Sequence, residues 1–233
     1  MSGWWVADLY HTSGLALVVT WVVWVIGSIV LHELAHGWAA LWQGDDTPRR
    51  LNRMTLNPLV HMGPVSLLMF ALVGIAWGLM PVNPSKFRWK RKGRAFVAAA
   101  GPAMNVALAI IAFTLMVVWI RLASGRVDEP LFSNTARFFY YGGFLNILLA
   151  MFNLLPIPPL DGSSILAGLS MRWYIWLQNP RFLMAGMFIV LVIFFSGAAL
   201  PILFACAKLA DWCANFGLEL TGWPLPWRAY LRA

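Results

Sequence analysis

The sequence predicts an all-α fold, a polytopic transmembrane helical bundle, from its composition and from the distribution of its charges. Of its 233 residues, 61% are hydrophobic and 11% are charged, whereas soluble domains have about 45–50% apolar and about 25% charged residues. A soluble globule of this size cannot bury so much apolar surface in one core. Five stretches of at least 20 residues also lack charged residues: Thr12–Leu31, Met54–Ser85, Ala95–Ile120, Phe138–Leu160 and Phe182–Ala207. About 20 apolar helical residues cross a hydrocarbon core of roughly 30 Å, so we expect about 5–6 membrane segments.

The first two apolar stretches are predicted to differ from each other. The first helix is expected to run from about Thr12 to Gln43, and it is too long and has too few preceding basic residues for a cleaved signal peptide. The second stretch begins extended, because Pro58 disfavours helix at Asn57, and its middle, Val65–Met80, is short for a crossing. We therefore expect a short extended or re-entrant segment after the first helix, with a complete crossing as the open alternative.

The rest of the chain is predicted to contain three long helices and one short helix. Helices over Ala95–Ile120, Phe138–Leu155 and Phe182–Ala207 are long enough to span a membrane. The stretch Asp161–Asn179 has only two charged residues and is expected to form a further short helix near a surface. No repeat, low-complexity segment or long linker divides the sequence. We therefore expect a single membrane-embedded domain over residues 1–233.

The net charge of +8 indicates contact with a lipid bilayer rather than with nucleic acid. The basic residues lie at the ends of the apolar stretches, most densely at 86–94, as the positive-inside rule predicts for cytoplasmic loops. If the arginines at 49–53 lie on that same side, the Val65–Met80 stretch must re-enter rather than cross. Cys206 and Cys213 lie seven residues apart on a predicted helix end, which is too far for a disulfide.

Three ionisable residues interrupt the apolar pattern of the first helix: His32, Glu33 and His36. A charged group in the middle of a membrane helix costs about 2.5–3.5 kcal/mol, so such residues usually have a function. The two histidines are about 40° apart around the helix and one turn apart along it, so both imidazoles can reach one zinc ion. This is the H-E-x-x-H arrangement, in which the glutamate acts as general base.

Two histidines do not complete a zinc site, so a third protein ligand is required. The candidates at membrane depth or at its border are His61, Asp161 and the pair Asp45 and Asp46. Asp161 follows a proline-rich stretch in which the helix must break, and irregular backbone at membrane depth occurs only where it is buried in protein or lines a wet cavity. The alternative for Asp161 is an ordinary helix N-cap.

Four motifs occur in a fixed order along the chain. They are H-E-L-A-H at 32–36, N-P-L-x-H-x-x-P at 57–64, A-G-P-x-x-N at 100–105 and N-x-x-P-x-x-P-L-D-G at 153–162. Together they resemble the motifs of the site-2 protease family, the intramembrane zinc metalloproteases of peptidase family M50. Gly63 stands where that family often has an aspartate, and the chain length leaves no room for a PDZ or CBS domain.

The resemblance implies a role for each matching residue. His32, His36 and Asp161 would hold one Zn²⁺ per chain, and Glu33 would be the catalytic base. Asn105, Asn153 and His61 are expected to contact substrate or the oxyanion formed during hydrolysis. The enzyme would then be a zinc metalloendopeptidase.

The resemblance also implies a partner and a location. The substrate would be a transmembrane segment of another membrane protein, cleaved in or near the bilayer in regulated intramembrane proteolysis. We expect a multi-pass protein of a prokaryotic plasma membrane, with its active site nearer the cytoplasmic side. Two alternatives are a catalytically inactive, zinc-bearing membrane scaffold and a metal transporter, although transporters usually contain internal repeats, which this sequence lacks.

Overall fold

The computed structural model describes residues 4–223 and 226–228, and within these ranges the secondary structure is helical, with no β-strand. The helices are α1 (Trp5–Trp42), α2 (Thr47–Arg50), α3 (Pro58–Val73), α4 (Lys90–Ala123), α5 (Leu131–Asn153), α6 (Asp161–Leu169), α7 (Met171–Leu177), α8 (Pro180–Phe195) and α9 (Leu200–Leu220). A single turn of 3₁₀ helix, Pro84–Lys86, precedes α4. The predicted all-α fold is confirmed.

Within the described ranges, two helices are long and apolar enough to cross a membrane by length and composition. They are Gly14–Trp42, which is the main part of α1, and Lys90–Ala123, which is α4. The count rises to three if α7 and α8, which meet at 87°, are taken as one broken span. The protein is therefore an integral membrane protein.

Helix α1 begins earlier than predicted and contains a break. Gly14 has φ of +74°, a left-handed conformation that glycine adopts without the steric penalty of a side chain. The preceding turns, which begin at Trp5, fold against α3: the rings of Trp5 and Phe70 lie 5.1 Å apart. The apolar helix after the break ends at Trp42, which agrees with the predicted end near Gln43.

The stretch between α1 and α4 turns back on itself. Helix α3 starts at Pro58, is kinked at Gly63 (φ +69°, ψ +169°), and ends at Gly74 in a left-handed conformation. The following segment returns alongside α3, since the Leu79 amide donates to the His61 carbonyl (3.0 Å). The expected extended start is found at Asn57 (ψ +114°), and the helix begins directly after it, at Pro58, and ends at Gly74.

Helices α4 and α5 form the centre of the bundle together with α1. Close packing depends on small residues: a Cβ at Gly142 would overlap the indole of Trp24, and a Cβ at Gly143 would overlap the ring of Phe113. Helix α9 closes the far side, where Asp211 accepts a hydrogen bond from Tyr140 (2.7 Å). These contacts fix the relative heights of α1, α4 and α5, and hence the level of the residues that they carry.

The C-terminal third differs from the prediction in two places. The expected continuous helix over Phe182–Ala207 is broken into α8 and α9 by residues 196–199, where Gly197 has φ of +77°. The expected single short helix over Asp161–Asn179 is two helices, α6 and α7, because Ser170 is extended (φ −119°, ψ +127°). Both misassignments arise because apolar composition gives the length of a hydrophobic stretch but not its breaks. Cys206 and Cys213 are free thiols on α9, as predicted.

Candidate metal centre

Two histidines of α1 and one aspartate of α6 converge below the protein surface. His32 and His36 are buried, and their Nε2 atoms lie 3.0 Å apart. Asp161 Oδ2 lies 3.1 Å from the first Nε2 and 3.3 Å from the second. The structure thus brings Asp161 next to two histidines that precede it by 125 residues or more in the sequence.

The protonation of both imidazoles follows from the partners of their other nitrogens. His32 Nδ1 lies 2.6 Å from Asn105 Oδ1, and His36 Nδ1 lies 2.8 Å from the carbonyl oxygen of Val97. Both partners only accept hydrogen bonds, so each Nδ1 carries the proton. In a neutral imidazole the lone pair is then on Nε2, and both Nε2 atoms point toward each other and toward Asp161.

This arrangement fits a divalent cation. Three acceptor atoms face one another, and Asp161 Oδ2 is buried with no hydrogen-bond donor. Such a cluster is repulsive unless a positive charge lies among its members. Zinc bonds of about 2.0–2.1 Å in a tetrahedron place neighbouring ligand atoms about 3.3 Å apart, close to the three separations observed here. In the part of the chain that the structure describes, no other three His, Cys, Asp or Glu side chains lie close enough to hold a metal.

Helix α4 shapes the wall behind the histidines. A Cβ at Gly101 would lie 2.5 Å from His32 Cε1 and would overlap His36 Nε2, so only glycine lets the helix approach this closely. Pro102, which is buried beside it, has no backbone N–H and leaves the carbonyl of Ala98 without its usual helical partner. The run A-G-P in the sequence is thus the surface on which the two imidazoles pack.

Asn105 belongs to a buried polar chain that ends at the metal centre. Its Oδ1 accepts from His32, and its Nδ2 donates to Asn146 Oδ1 (3.0 Å). Asn146 in turn donates to Ser28 Oγ (2.9 Å) and to the carbonyl of Gly142 (2.9 Å). Both ends of the Asn105 amide are therefore occupied by protein, which favours a positioning role over the predicted contact with substrate.

Sequence reasoning missed Asn146 and Ser28. Either polar residue alone is ordinary in a membrane helix. Ser28 and His32 are one turn apart, so the spacing indicates that they share a face of α1. It does not indicate that Asn146 of α5 lies against that face.

Glu33 lies next to the metal ligands on α1 but faces a different part of the fold. Its side chain is buried, and its carboxylate lies against the backbone of Gly78 in the segment that returns from α3. A Cβ on Gly78 would stand 2.5 Å from Glu33 Oε1 and 2.6 Å from its Cγ. The returning segment therefore covers the carboxylate and fixes its position.

His61 and Asn153 are placed outside the three-residue cluster. The imidazole of His61 is 2% exposed, with Nε2 2.6 Å from the carbonyl of Thr55 and Nδ1 without a partner. Its carbonyl holds Leu79, the residue after Gly78, so His61 belongs to the Glu33 side of the site. Asn153 Nδ2 donates to the carbonyl of Leu149 in its own helix (3.0 Å).

The remaining candidates for the third ligand have other partners. Asp45 is fully buried and accepts from the amide of Thr47 (3.0 Å) and the amide of Asn83 (2.6 Å). Asp46 pairs with Lys86 (2.5 Å). Both acids thus tie the loop after α1 to the segment before α4. Asp161 is the first residue of α6, after an N-cap at Leu160, so the N-cap alternative for Asp161 was wrong.

Comparisons with known proteins point to one protease family. Residues 119–197, which include Asp161, match the model of "Peptidase family M50". The chain is 39% identical over 164 residues to "Putative zinc metalloprotease YwhC" of Bacillus subtilis, covering 70% of this chain and 74% of that protein. It is 28% identical over 172 residues to "Putative zinc metalloprotease MJ0611" of Methanocaldococcus jannaschii, covering 72% and 78%.

A third relative matches over a smaller part of its length. "Putative zinc metalloprotease Rip2" of Mycolicibacterium smegmatis is 31% identical over 144 residues, which are 60% of this chain and 52% of that protein. No solved structure matches the chain.

Proposed function

The chain belongs to peptidase family M50 and is a zinc metalloprotease, and from this premise we propose that it hydrolyses a peptide bond in or near a transmembrane segment of another membrane protein. The observation that carries the proposal is the convergence of His32, His36 and Asp161 inside an apolar helical bundle. A soluble substrate would have to move polar backbone into the apolar bundle to reach this centre, whereas a membrane-spanning segment already lies at that depth.

The proposed metal ligands are the two Nε2 atoms and Asp161 Oδ2. These atoms would hold a zinc ion, which would supply Lewis-acid activation of water and of the scissile carbonyl. The hydrogen bonds from His32 Nδ1 to Asn105 and from His36 Nδ1 to Val97 hold both rings in the tautomer that a metal requires. A set of three protein ligands is the number found in catalytic zinc sites, whereas structural zinc sites use four.

Glu33 is proposed as the general base and then the general acid. Its carboxylate takes the proton of the attacking water and delivers it to the nitrogen of the departing amine. The carboxylate lies against the backbone of Gly78, which limits its rotamers, and Glu33 follows the proposed ligand His32 directly on the same helix. Because Glu33 is buried, bulk water is excluded from this proton transfer.

His61 and Asn153 are proposed to act on the substrate side of the centre. His61 has a buried Nδ1 with no protein partner, and it lies beside the segment that covers Glu33. A substrate group or a water molecule would satisfy this nitrogen, since buried polar atoms are rarely left unpaired. Asn153 ends α5 shortly before the proline-rich loop that leads to Asp161, and its Oδ1 is available to accept a hydrogen bond.

In the proposed topology, the metal centre lies nearer the end of the bundle that carries the basic segment Lys86–Arg94. His32 lies ten residues from the end of α1, and Gly101 lies eleven residues from the start of α4, so both are about 15 Å from the end at which Lys86–Arg94 lies. The positive-inside rule then assigns that end to the cytoplasm of a prokaryotic cell.

We propose six membrane segments, of which four cross the bilayer. The crossing helices would be α1, α4, α5 and α9, while α3 and α8 would enter and leave by the same face. For α3 the support is the returning segment, in which Leu79 bonds back to His61. For α8 it is the contact of Phe194 with Phe152 (5.1 Å), close to the end of α5.

The experiment that tests the proposal compares Glu33→Gln with Glu219→Gln. Glu219 is an exposed glutamate at the end of α9, so its substitution matches the chemical change away from the centre. Each variant is co-expressed with single-pass membrane proteins that carry a tag at both ends, and the tagged stubs are identified by mass spectrometry. We expect wild type and Glu219→Gln to yield stubs cleaved within the transmembrane segment.

Glu33→Gln should reduce stub formation by about 10²–10⁴-fold, the usual contribution of general acid–base catalysis. Zinc content, measured on the purified variants, should stay unchanged because Glu33 is not a ligand. Cleavage at the wild-type rate by Glu33→Gln would contradict the proposal. Cleavage confined to soluble regions of the substrates would also contradict it.

A further inference from the structure

The junction of α7 and α8 forms an elbow with an open cavity. The two helices meet at 87°, and the cavity at the bend has a volume of about 540 Å³. Its lining residues are Ile175, Trp176, Gln178, Asn179 and Phe182. The floor of this elbow cavity is thus apolar and aromatic, with amide groups at one edge.

Aromatic side chains place the elbow at the level of a membrane interface. Trp173, Trp176 and Phe182 form a cluster with ring centroids 5.6–5.9 Å apart. Helix α7 also reaches the basic end of α4, where Arg94 lies over the ring of Tyr174 (5.8 Å). Tryptophan and tyrosine are enriched where hydrocarbon meets headgroups, so the elbow lies at that depth.

The elbow carries positive charge without a protein counter-ion. Arg172 and Arg181 are both exposed, and Arg172 lies over the ring of Trp176 at 5.4 Å. Among the described residues, neither arginine has a carboxylate within 4.0 Å. The chain has no Asp or Glu between Asp161 and Asp211. Arg172 thus lies against the aromatic cluster and Arg181 precedes Phe182 of that cluster in the sequence, each without a carboxylate partner.

Beyond the elbow, α8 offers an apolar surface that no other helix covers. Met184 is 70% exposed and Phe188 is 67% exposed, and they lie one turn apart on the same side. A ligand that satisfies all these features has an anionic head for the arginines and a hydrocarbon tail for α8. Arginine pairs with phosphate through two parallel hydrogen bonds, which makes a phosphodiester the matching head.

We propose that the elbow cavity binds one anionic phospholipid molecule, with its phosphate on Arg172 and Arg181 and an acyl chain along α8. This inference does not depend on the protease reaction, since no residue of the metal centre takes part. It assigns α7 the role of an interfacial helix that selects acidic lipids.

Native mass spectrometry of the purified full chain tests the proposal. The protein is titrated with phosphatidylglycerol and, separately, with phosphatidylcholine in a neutral detergent. We expect wild type to retain one phosphatidylglycerol in preference to phosphatidylcholine. In R172Q/R181Q the affinity for phosphatidylglycerol should fall about fivefold for each arginine removed, since each basic residue near an acidic lipid contributes to that extent.

The matched control is R49Q/R50Q, which removes two exposed positive charges from α2, a helix that packs on α1. It should retain phosphatidylglycerol as wild type does, and R172K/R181K, which keeps both charges, should lose less than R172Q/R181Q. A thermal unfolding midpoint equal to that of wild type confirms that the double variant is folded.

Equal retention of the two lipids by wild type would overturn the proposal. So would undiminished binding by R172Q/R181Q, or full displacement of the lipid by millimolar inorganic phosphate, which would show a free-anion site.

Discussion

Substitution of Asn105 tests whether its hydrogen bond to His32 increases the affinity of the metal centre for zinc. Its Oδ1 lies 2.6 Å from His32 Nδ1, and it is fully buried between α1 and α5. Asn105→Leu removes this acceptor and keeps the heavy-atom branching of the side chain. It leaves the His32 Nδ1–H and the Asn146 Oδ1 without their partner, and each such buried group costs about 1–3 kcal/mol.

Part of this cost should appear as lost zinc affinity. A metal on Nε2 makes the Nδ1–H more acidic, so the hydrogen bond to Asn105 is stronger in the metal-bound state than in the metal-free one. Removing an acceptor of this kind typically lowers metal affinity 10–100-fold. The same range corresponds to about 1.4–2.7 kcal/mol. We expect the Asn105→Leu variant to fall within it.

The measurement is a competition between the purified protein and a chromogenic zinc chelator in detergent. Asn153→Leu is the matched control, since Asn153 donates only to the carbonyl of Leu149 in its own helix. Turnover at saturating zinc separates the two roles considered for Asn105. A positioning residue allows turnover to recover when zinc is in excess, whereas an oxyanion donor leaves turnover low. A zinc dissociation constant within about twofold of wild type would refute the reasoning.

Three further predictions concern residues around the site and the loops that hold it. Gly101→Ala places a methyl group among the His32 and His36 rings, and such overpacking typically costs about 1–3 kcal/mol. The zinc content after dialysis should therefore fall. A full zinc content in this variant would contradict the packing described. Gly78→Ala should push the Glu33 carboxylate aside, so proteolysis should drop while zinc content stays at the wild-type level; loss of both would indicate unfolding instead. The hydrogen bond and positive charge of Lys86 hold the pKa of Asp46 below its usual value. A carboxyl whose pKa is lowered in the fold contributes stability above its unfolded pKa and loses it as pH falls through the folded pKa. Asp46→Asn should therefore lower the thermal unfolding midpoint at neutral pH but not in acid, and a difference that persists in acid would exclude this cause.

Features that depend on local spacing were accessible from the sequence. The separation of His32 and His36 by four residues places them on one face of any helix, whatever surrounds it. The long uncharged stretches likewise required helices, because lipid leaves backbone groups no other partner. The proline-rich stretch before Asp161 correctly indicated a break at that position. These inferences held because each depends on a few consecutive residues.

Features that depend on packing were not accessible in the same way. Apolar stretches in a membrane protein are hydrophobic on all sides, so they carry no periodic signal for where a helix bends or which face meets a neighbour. The breaks between α6 and α7 and between α8 and α9 were missed for this reason, whereas a re-entrant segment after the first helix was expected. The partners of Asn105 and the cover over Glu33 were hidden too, since contacts between distant helices leave no trace in local spacing.

The amino-acid sequence by itself placed two imidazoles and a glutamate on one turn of a membrane helix, and its motifs offered Asp161 as a third metal ligand. The tertiary structure adds that Asp161 lies within 3.3 Å of both imidazoles, that Asn105 accepts a hydrogen bond from His32, and that Gly78 lies against Glu33. The reason is physical. Helical periodicity determines which residues of one helix lie one turn apart. Which residues of different helices are in contact depends on how all the helices of the bundle pack together.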